Sequence, residues 1–119
     1  MPGAPLRLQN TTRGTIVAGR VASAGTFWTS FLGLMGRPSI DPDEGLWIQP
    51  TGSIHMWFMR FAIDVVYADK EGRVLKLVRG IRPWRMSACR GAKVALELPV
   101  GAIDRAGVEV GDHLVIEHT

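Results

Sequence analysis

The sequence predicts a mainly β fold: a single-domain antiparallel β-sandwich or barrel with one short helix near residues 26–35. Two observations predict it. Short apolar or alternating runs recur between turn signals at intervals of about 8–12 residues, the spacing of sandwich and barrel strands. Strands do not alternate with long helical patterns, which disfavours a doubly wound sheet. A chain of 119 residues, 46% hydrophobic, fits one domain over residues 1–119. It is long enough to bury a core without a disulfide or a metal.

Taken in order, the first strand candidates are residues 6–8 and 15–22. Ser23 or Thr26 would cap a helix in which Phe27, Phe31, Leu34 and Met35 recur at helical spacing, and Gly36 would stop it. R-P-S-I-D-P-D-E-G, residues 37–45, is a loop. A strand at 45–49 and a turn at 50–53 precede two extended runs, 54–60 and 62–68. Asp69-Lys70-Glu71-Gly72 reads as a hairpin turn, followed by alternation over 73–79. Pro83 interrupts the chain before an extended piece at 85–89. Residues 94–98 form a strand closed by Pro99, 101–106 a single helical turn, and 113–117 the last strand after the Gly111-Asp112 turn.

Charge and cysteine content narrow the function classes. The net charge is +3, yet no acid precedes Asp41, and the stretch from Arg73 to Lys93 holds Arg73, Lys76, Arg79, Arg82, Arg85, Arg90 and Lys93 without an acid. Such a stretch serves either as an anion-binding surface or as a solvated strand face. The modest overall charge favours the second, so nucleic acid is not the expected partner. The single cysteine, Cys89, excludes an intramolecular disulfide and fits a reducing compartment. The N-terminus lacks the apolar core of a secretory signal, and no apolar run approaches the roughly 20 residues that cross a bilayer. The expectation is a soluble, cytoplasmic protein without membrane insertion.

The most informative stretch is Ser53 to Asp69, S-I-H-M-W-F-M-R-F-A-I-D-V-V-Y-A-D. A strand that only fills a core has no need of His55, Arg60 and Asp64, since burying ionisable groups without partners is costly. Strict alternation puts His55, Trp57 and Met59 on one face and Ile54, Met56, Phe58 and Arg60 on the other. His55 has a side chain suited to acid–base work, and Asp64 would orient it; the bland alternative pairs Asp64 with Arg60 or with backbone N–H groups. No nucleophile stands beside them, because Ser53 lies in a turn and Cys89 is distant in sequence. His55, Met56, Met59, Met35, Met86 and Cys89 are soft donors of the kind copper takes, but thioethers mostly fill cores and no two histidines have ligand spacing. His113 and His118 are too scattered for zinc. No metal and no cofactor is expected. Trp84, flanked by arginines in I-R-P-W-R-M, either stacks a ring or lids the core. R-G-T-I-V-A-G-R matches neither a P-loop nor a dinucleotide fingerprint.

Six pieces in register carry a resemblance: G-L-M-G-R at 33–37, D-E-G-L-W-I at 43–48, the 53–69 stretch, G-R-V at 72–74, L-E-L-P-V-G at 96–101 and G-V-E-V-G-D at 107–112. Their order resembles the uncharacterised family called domain of unknown function 192, over about residues 33–114. The resemblance implies a jelly-roll type of sandwich with a short helix, and it brings no activity with it. Members of that family are often exported. Met59 and Arg60 match the family's Met-Lys pair, Phe61 stands where the family commonly has Asn, and Glu97 is a further matching acid.

The expected site is therefore a cleft lined by His55, Trp57, Met59, Arg60 and Asp64, with Arg37, Trp84 and Glu97 nearby. It would bind a small molecule, peptide or saccharide: Arg60 or Arg37 gripping an anionic group, Trp57 or Trp84 supplying apolar area. The alternatives are a hydrolase- or isomerase-type enzyme using His55 with Asp64 or Glu97, and a structural or protein-interaction domain with exposed aromatics.

Overall fold

A computed structural model of the chain describes residues 6–24 and 37–118. The strands are β1 (Leu6–Asn10), β2 (Thr15–Ala24), β3 (Glu44–Ile48), β4 (Ser53–His55), β5 (Ile63–Ala68), β6 (Val74–Ile81), β7 (Met86–Ala88), β8 (Val94–Pro99) and β9 (Leu114–His118), with helix α1 (Ala102–Ala106) between the last two. Seven strands form one strongly curled, half-barrel sheet in the order β6-β5-β8-β3-β2-β1-β9, and β4 pairs with β7 in a separate ribbon. The mainly β expectation holds, with the 101–106 helical turn present as α1. One neighbour pair departs from the antiparallel rule: β2 and β3 run parallel. The expected helix near 26–35 lies outside the described residues, and Ser23, one of its two suggested caps, belongs to β2.

Both faces of the central strands are covered, so β5 and β8 are apolar almost throughout instead of alternating with polar residues. On one face Val66, Ala68, Val94, Leu96 and Leu98 pack with Ile103 and Ala106 of α1. On the other, Ile63, Val65, Tyr67 and Ala95 pack with Ile54, Met56 and Met59 from the ribbon side. Two acids are carried inward with these strands. Asp64 shares the α1 face, where its carboxylate accepts the Gly101 and Ile103 N–H groups (3.1 and 3.2 Å) and, from β6, the Gly80 N–H (2.9 Å). It thus supplies the acceptor that the first turn of α1 requires, Gly101 having no side chain to provide one. Glu97 points to the ribbon face.

Where extended structure was expected over 54–60, the strand ends at His55 and the chain turns. Met59 donates its N–H to the Met56 carbonyl (3.2 Å), and Phe58 takes φ 63°. The Met56 and Arg85 backbones then pair, with Trp84 returning its N–H to the Met56 carbonyl at 2.8 Å.

Candidate functional site

The turn at Phe58 decides which side chains meet. It breaks the period of two, so His55, Trp57 and Met59 do not share a face: Met59 swings into the core and is buried, while Trp57 and Phe58 stay on the surface. Trp84, at φ 68°, projects from the facing turn. The result is a row of rings in sequential contact. His55 stacks on Trp57 with centroids 5.7 Å apart and planes 26° off parallel. Trp57 meets Trp84 at 5.9 Å, and Phe58 meets Trp84 edge-on at 4.9 Å. The Trp57 backbone N–H also reaches His55 Nδ1 at 3.4 Å. Phe58 and Trp84 are 57% and 56% exposed, and the adjacent Met86 is 69% exposed, which marks the row as a surface and not a lid on the core.

Left-handed backbone at a bulky residue costs about 1–3 kcal/mol and persists only where the surroundings enforce it. Both positive-φ non-glycine residues of the described chain, Phe58 and Trp84, stand in this row. Beside it an open groove of about 630 Å³ runs between β6 and β7, lined by Lys76, Arg79, Arg82, Arg85, Met86 and Ser87. Arg60 is exposed at the end of the Phe58 turn.

The remaining expected residues fall elsewhere. Asp64 lies on the far face of the sheet with its oxygens committed to three backbone donors, because β5 alternates and places it opposite Val65 and Tyr67. It does not join His55. Arg37 is held by Glu44 in a two-pronged ion pair, Nη1–Oε2 2.7 Å and Nη2–Oε1 2.8 Å, which keeps the Glu44 carboxyl below its usual range. Glu97 sits in an interior strand, not at an edge or in an ion pair. Burial with no compensating charge or hydrogen bond among the described residues raises its pKa to about 7. Its neighbour on that face, the Tyr67 hydroxyl, is also buried and completes no hydrogen bond among the described residues; Ser87 and the Ile54 backbone only partly oppose the rise in its pKa that burial causes. With the Asp64 carboxylate committed to backbone donors, the Asp64 arm of the enzyme alternative is not assembled in the described structure. No group of three or more metal-ligating side chains occurs among the described residues.

Sequence reasoning missed Phe58, which alternation assigns to the opposite face, and it missed Arg82, Arg85 and Met86 as a groove. The available signal was the clustering of Trp84 with arginines around Pro83. Nothing in M-W-F-M announces a left-handed residue.

The DUF192 family model, described as an uncharacterized ACR, matches residues 8–116. A UPF0127 protein of Thermococcus sibiricus is 40% identical over 115 residues, covering 90% of this chain and 72% of the relative. One from Pyrococcus furiosus is 37% identical over 112 residues, covering 88% and 93%. Among solved structures, a protein of unknown function from Novosphingobium aromaticivorans superposes with a TM-score of 0.77 at 21% identity, over 93% of this chain and 83% of that one. A proposed transcription regulator of Sinorhizobium meliloti superposes at 0.76 and 22% identity, over 94% and 92%. At such identities the likeness establishes the fold.

Proposed function

Since the chain belongs to the DUF192 family, a family of unknown function, we propose that it is a binding module whose site is the exposed row His55, Trp57, Trp84 and Phe58. Its ligands are small molecules, peptides or saccharides that present a flat face to the rings and an anionic group to the neighbouring guanidinium groups of Arg60, Arg82 and Arg85. One observation carries this reading: two bulky aromatic residues hold unfavourable backbone in order to stand in solvent beside a third. A fold selected only for stability would bury such rings or replace them, since each is worth about 1.5–3 kcal/mol inside a core and gains little on the surface. Strain collected at one exposed patch is the pattern of a preorganised contact surface.

The test is a tryptophan-fluorescence titration with glucuronate, acidic disaccharides, aromatic carboxylates and short acidic peptides. At least one probe is expected to shift the emission saturably, and Trp57→Ala and Trp84→Ala are each expected to abolish the shift while leaving the thermal melt near that of the parent. A panel without any saturable response, or variants that bind as the parent does, would sink the proposal.

A further inference from the structure

We infer that the same face takes single-stranded nucleic acid, its phosphates following the groove between β6 and β7 and its bases stacking on Trp84, Phe58 and Trp57. This rests on the binding-module reading and adds the groove to it. The first support is the placement of charge. Residues 45–63 hold Arg60 and no acid, and residues 72–96 hold the seven cations from Arg73 to Lys93 and no acid, so all eleven Asp and Glu side chains lie elsewhere in the sequence. The modest total of +3 averages two acid-free segments that carry eight cations, four of them lining the groove, against an acidic remainder. That averaging is why overall charge argued against such a partner, whereas the local distribution argues for one.

The second support is the pairing pattern. Away from this face four arginines are paired with acids, Arg7 with Glu117, Arg13 with Asp112 and Glu109, Arg20 with Asp41 and Arg37 with Glu44, while Arg105 donates to the Val17 carbonyl. Of the seven cations between Arg73 and Lys93, Arg79 alone meets an acid among the described residues, the exposed Asp104. Lys76 and Arg73 donate to the Ala88 and Gly111 carbonyls, which fixes the side chains without cancelling their charge. Arg82 and Arg85, on either side of Trp84, line the groove, whose described lining holds no acid. A like-charged row of this kind is relieved by a polyanion, with release of that polymer's counterions.

Shape selects among polyanions. Lys76, Arg79, Arg82 and Arg85 line one shallow, open depression, across which a linear polyanion can lie. Exposed rings standing beside such a groove stack bases that are free of a partner strand, whereas duplex bases hide their faces. Acidic polysaccharides share the charge but carry no aromatic base, so a direct comparison of affinities with heparin separates them.

The experiment is fluorescence anisotropy of the intact chain with labelled oligothymidylate of about 15 nucleotides, at salt from about 50 to 200 mM. The expected result is binding that weakens with salt with a log–log slope of roughly −0.7 per phosphate contacted. Trp84→Ala is expected to weaken binding about tenfold at every salt concentration with the slope retained. The double change Arg82→Ala with Arg85→Ala is expected to flatten the slope by about 1.4. All three side chains are exposed, and unchanged thermal melts would verify that the variants fold. Absence of binding at the lowest salt overturns the inference, as does equal affinity for heparin and a matched duplex with indifference to Trp84→Ala. Trp84-dependent binding to phosphatidylserine-containing vesicles without binding to the oligonucleotide also overturns it, in favour of a membrane face. If the oligonucleotide fails while a small probe still depends on Trp57 and Trp84, the binding-module reading stands and the nucleic-acid inference falls; if neither binds, both fall.

Discussion

Two buried acids on neighbouring strands have opposite fates. Asp64 has three backbone N–H groups aimed at it. Glu97 is 7% exposed and has none, so desolvation alone lifts its pKa from 4.5 to about 7. The consequence for stability has a definite sign. Below about pH 4.5 the Glu97 carboxyl is protonated in both the folded and the unfolded chain. Between there and about pH 7 the unfolded chain ionises while the folded one keeps its proton, so stability falls as pH rises; above about pH 7 the loss levels off. The full effect is at most about 3 kcal/mol. Glu97→Gln keeps the shape without the charge. Urea unfolding at pH 5 and pH 8 is expected to show the variant more stable than the parent at pH 8, the difference shrinking at pH 5. Equal differences at both values would refute this. At this scale the sequence shows an acid between two leucines and hence its direction, opposite to Leu96 and Leu98. It does not show that the opposite face is covered too, because the cover is the β4–β7 ribbon, which comes from two other parts of the chain.

Among the elements, turns with explicit chemistry are legible and the functional turn is not. Asp69-Lys70-Glu71-Gly72 was readable from composition, and the structure gives the mechanism. Asp69 Oδ1 accepts the Glu71 and Arg73 N–H groups at 2.9 Å each, which lowers its pKa, and Gly72 closes the turn at φ 91°. Gly72 also exchanges backbone contacts with the last strand: its carbonyl accepts the Leu114 N–H at 2.9 Å, and a Cβ there would strike the Leu114 carbonyl. Gly72→Ala is therefore expected to destabilise the protein by more than about 2 kcal/mol, combining left-handed strain with that collision, whereas Lys70→Ala in the same turn stays within about 0.5 kcal/mol. Chemical denaturation of the two variants checks this. The Trp57–Phe58 turn carries neither Gly nor Pro, and its bend comes from the Met56 carbonyl collecting the Met59 and Trp84 N–H groups. Local propensity could not reveal a turn that is held by another turn about thirty residues onward.

For the molecule as a whole, stability is concentrated in the middle of the sheet. Every residue of β5 is buried and β5 is bonded on both sides, to β6 and to β8. The ribbon has two three-residue strands and one covered face. Native-state hydrogen exchange is expected to place the β5 and β8 amides at the global unfolding free energy and those of β4 and β7 well below it. Ribbon amides as slow as those of β5 would contradict this. The binding face would thus lie on the part of the protein that opens first, anchored through Ile54, Met56 and Met59. Taken by itself, the sequence determined what local chemistry can encode: the mainly β class, the succession of short strands, the Asp69–Gly72 turn, the α1 turn and the family. The tertiary structure decided which side chains share a surface. It separated Asp64 from His55 across the sheet, withdrew Met59 into the core, occupied Arg37 with Glu44, and brought Trp84 onto Trp57 and Phe58. The physical reason is that period-two alternation holds only while the backbone stays extended, and one left-handed residue, enforced by long-range hydrogen bonds, resets which face every later side chain takes.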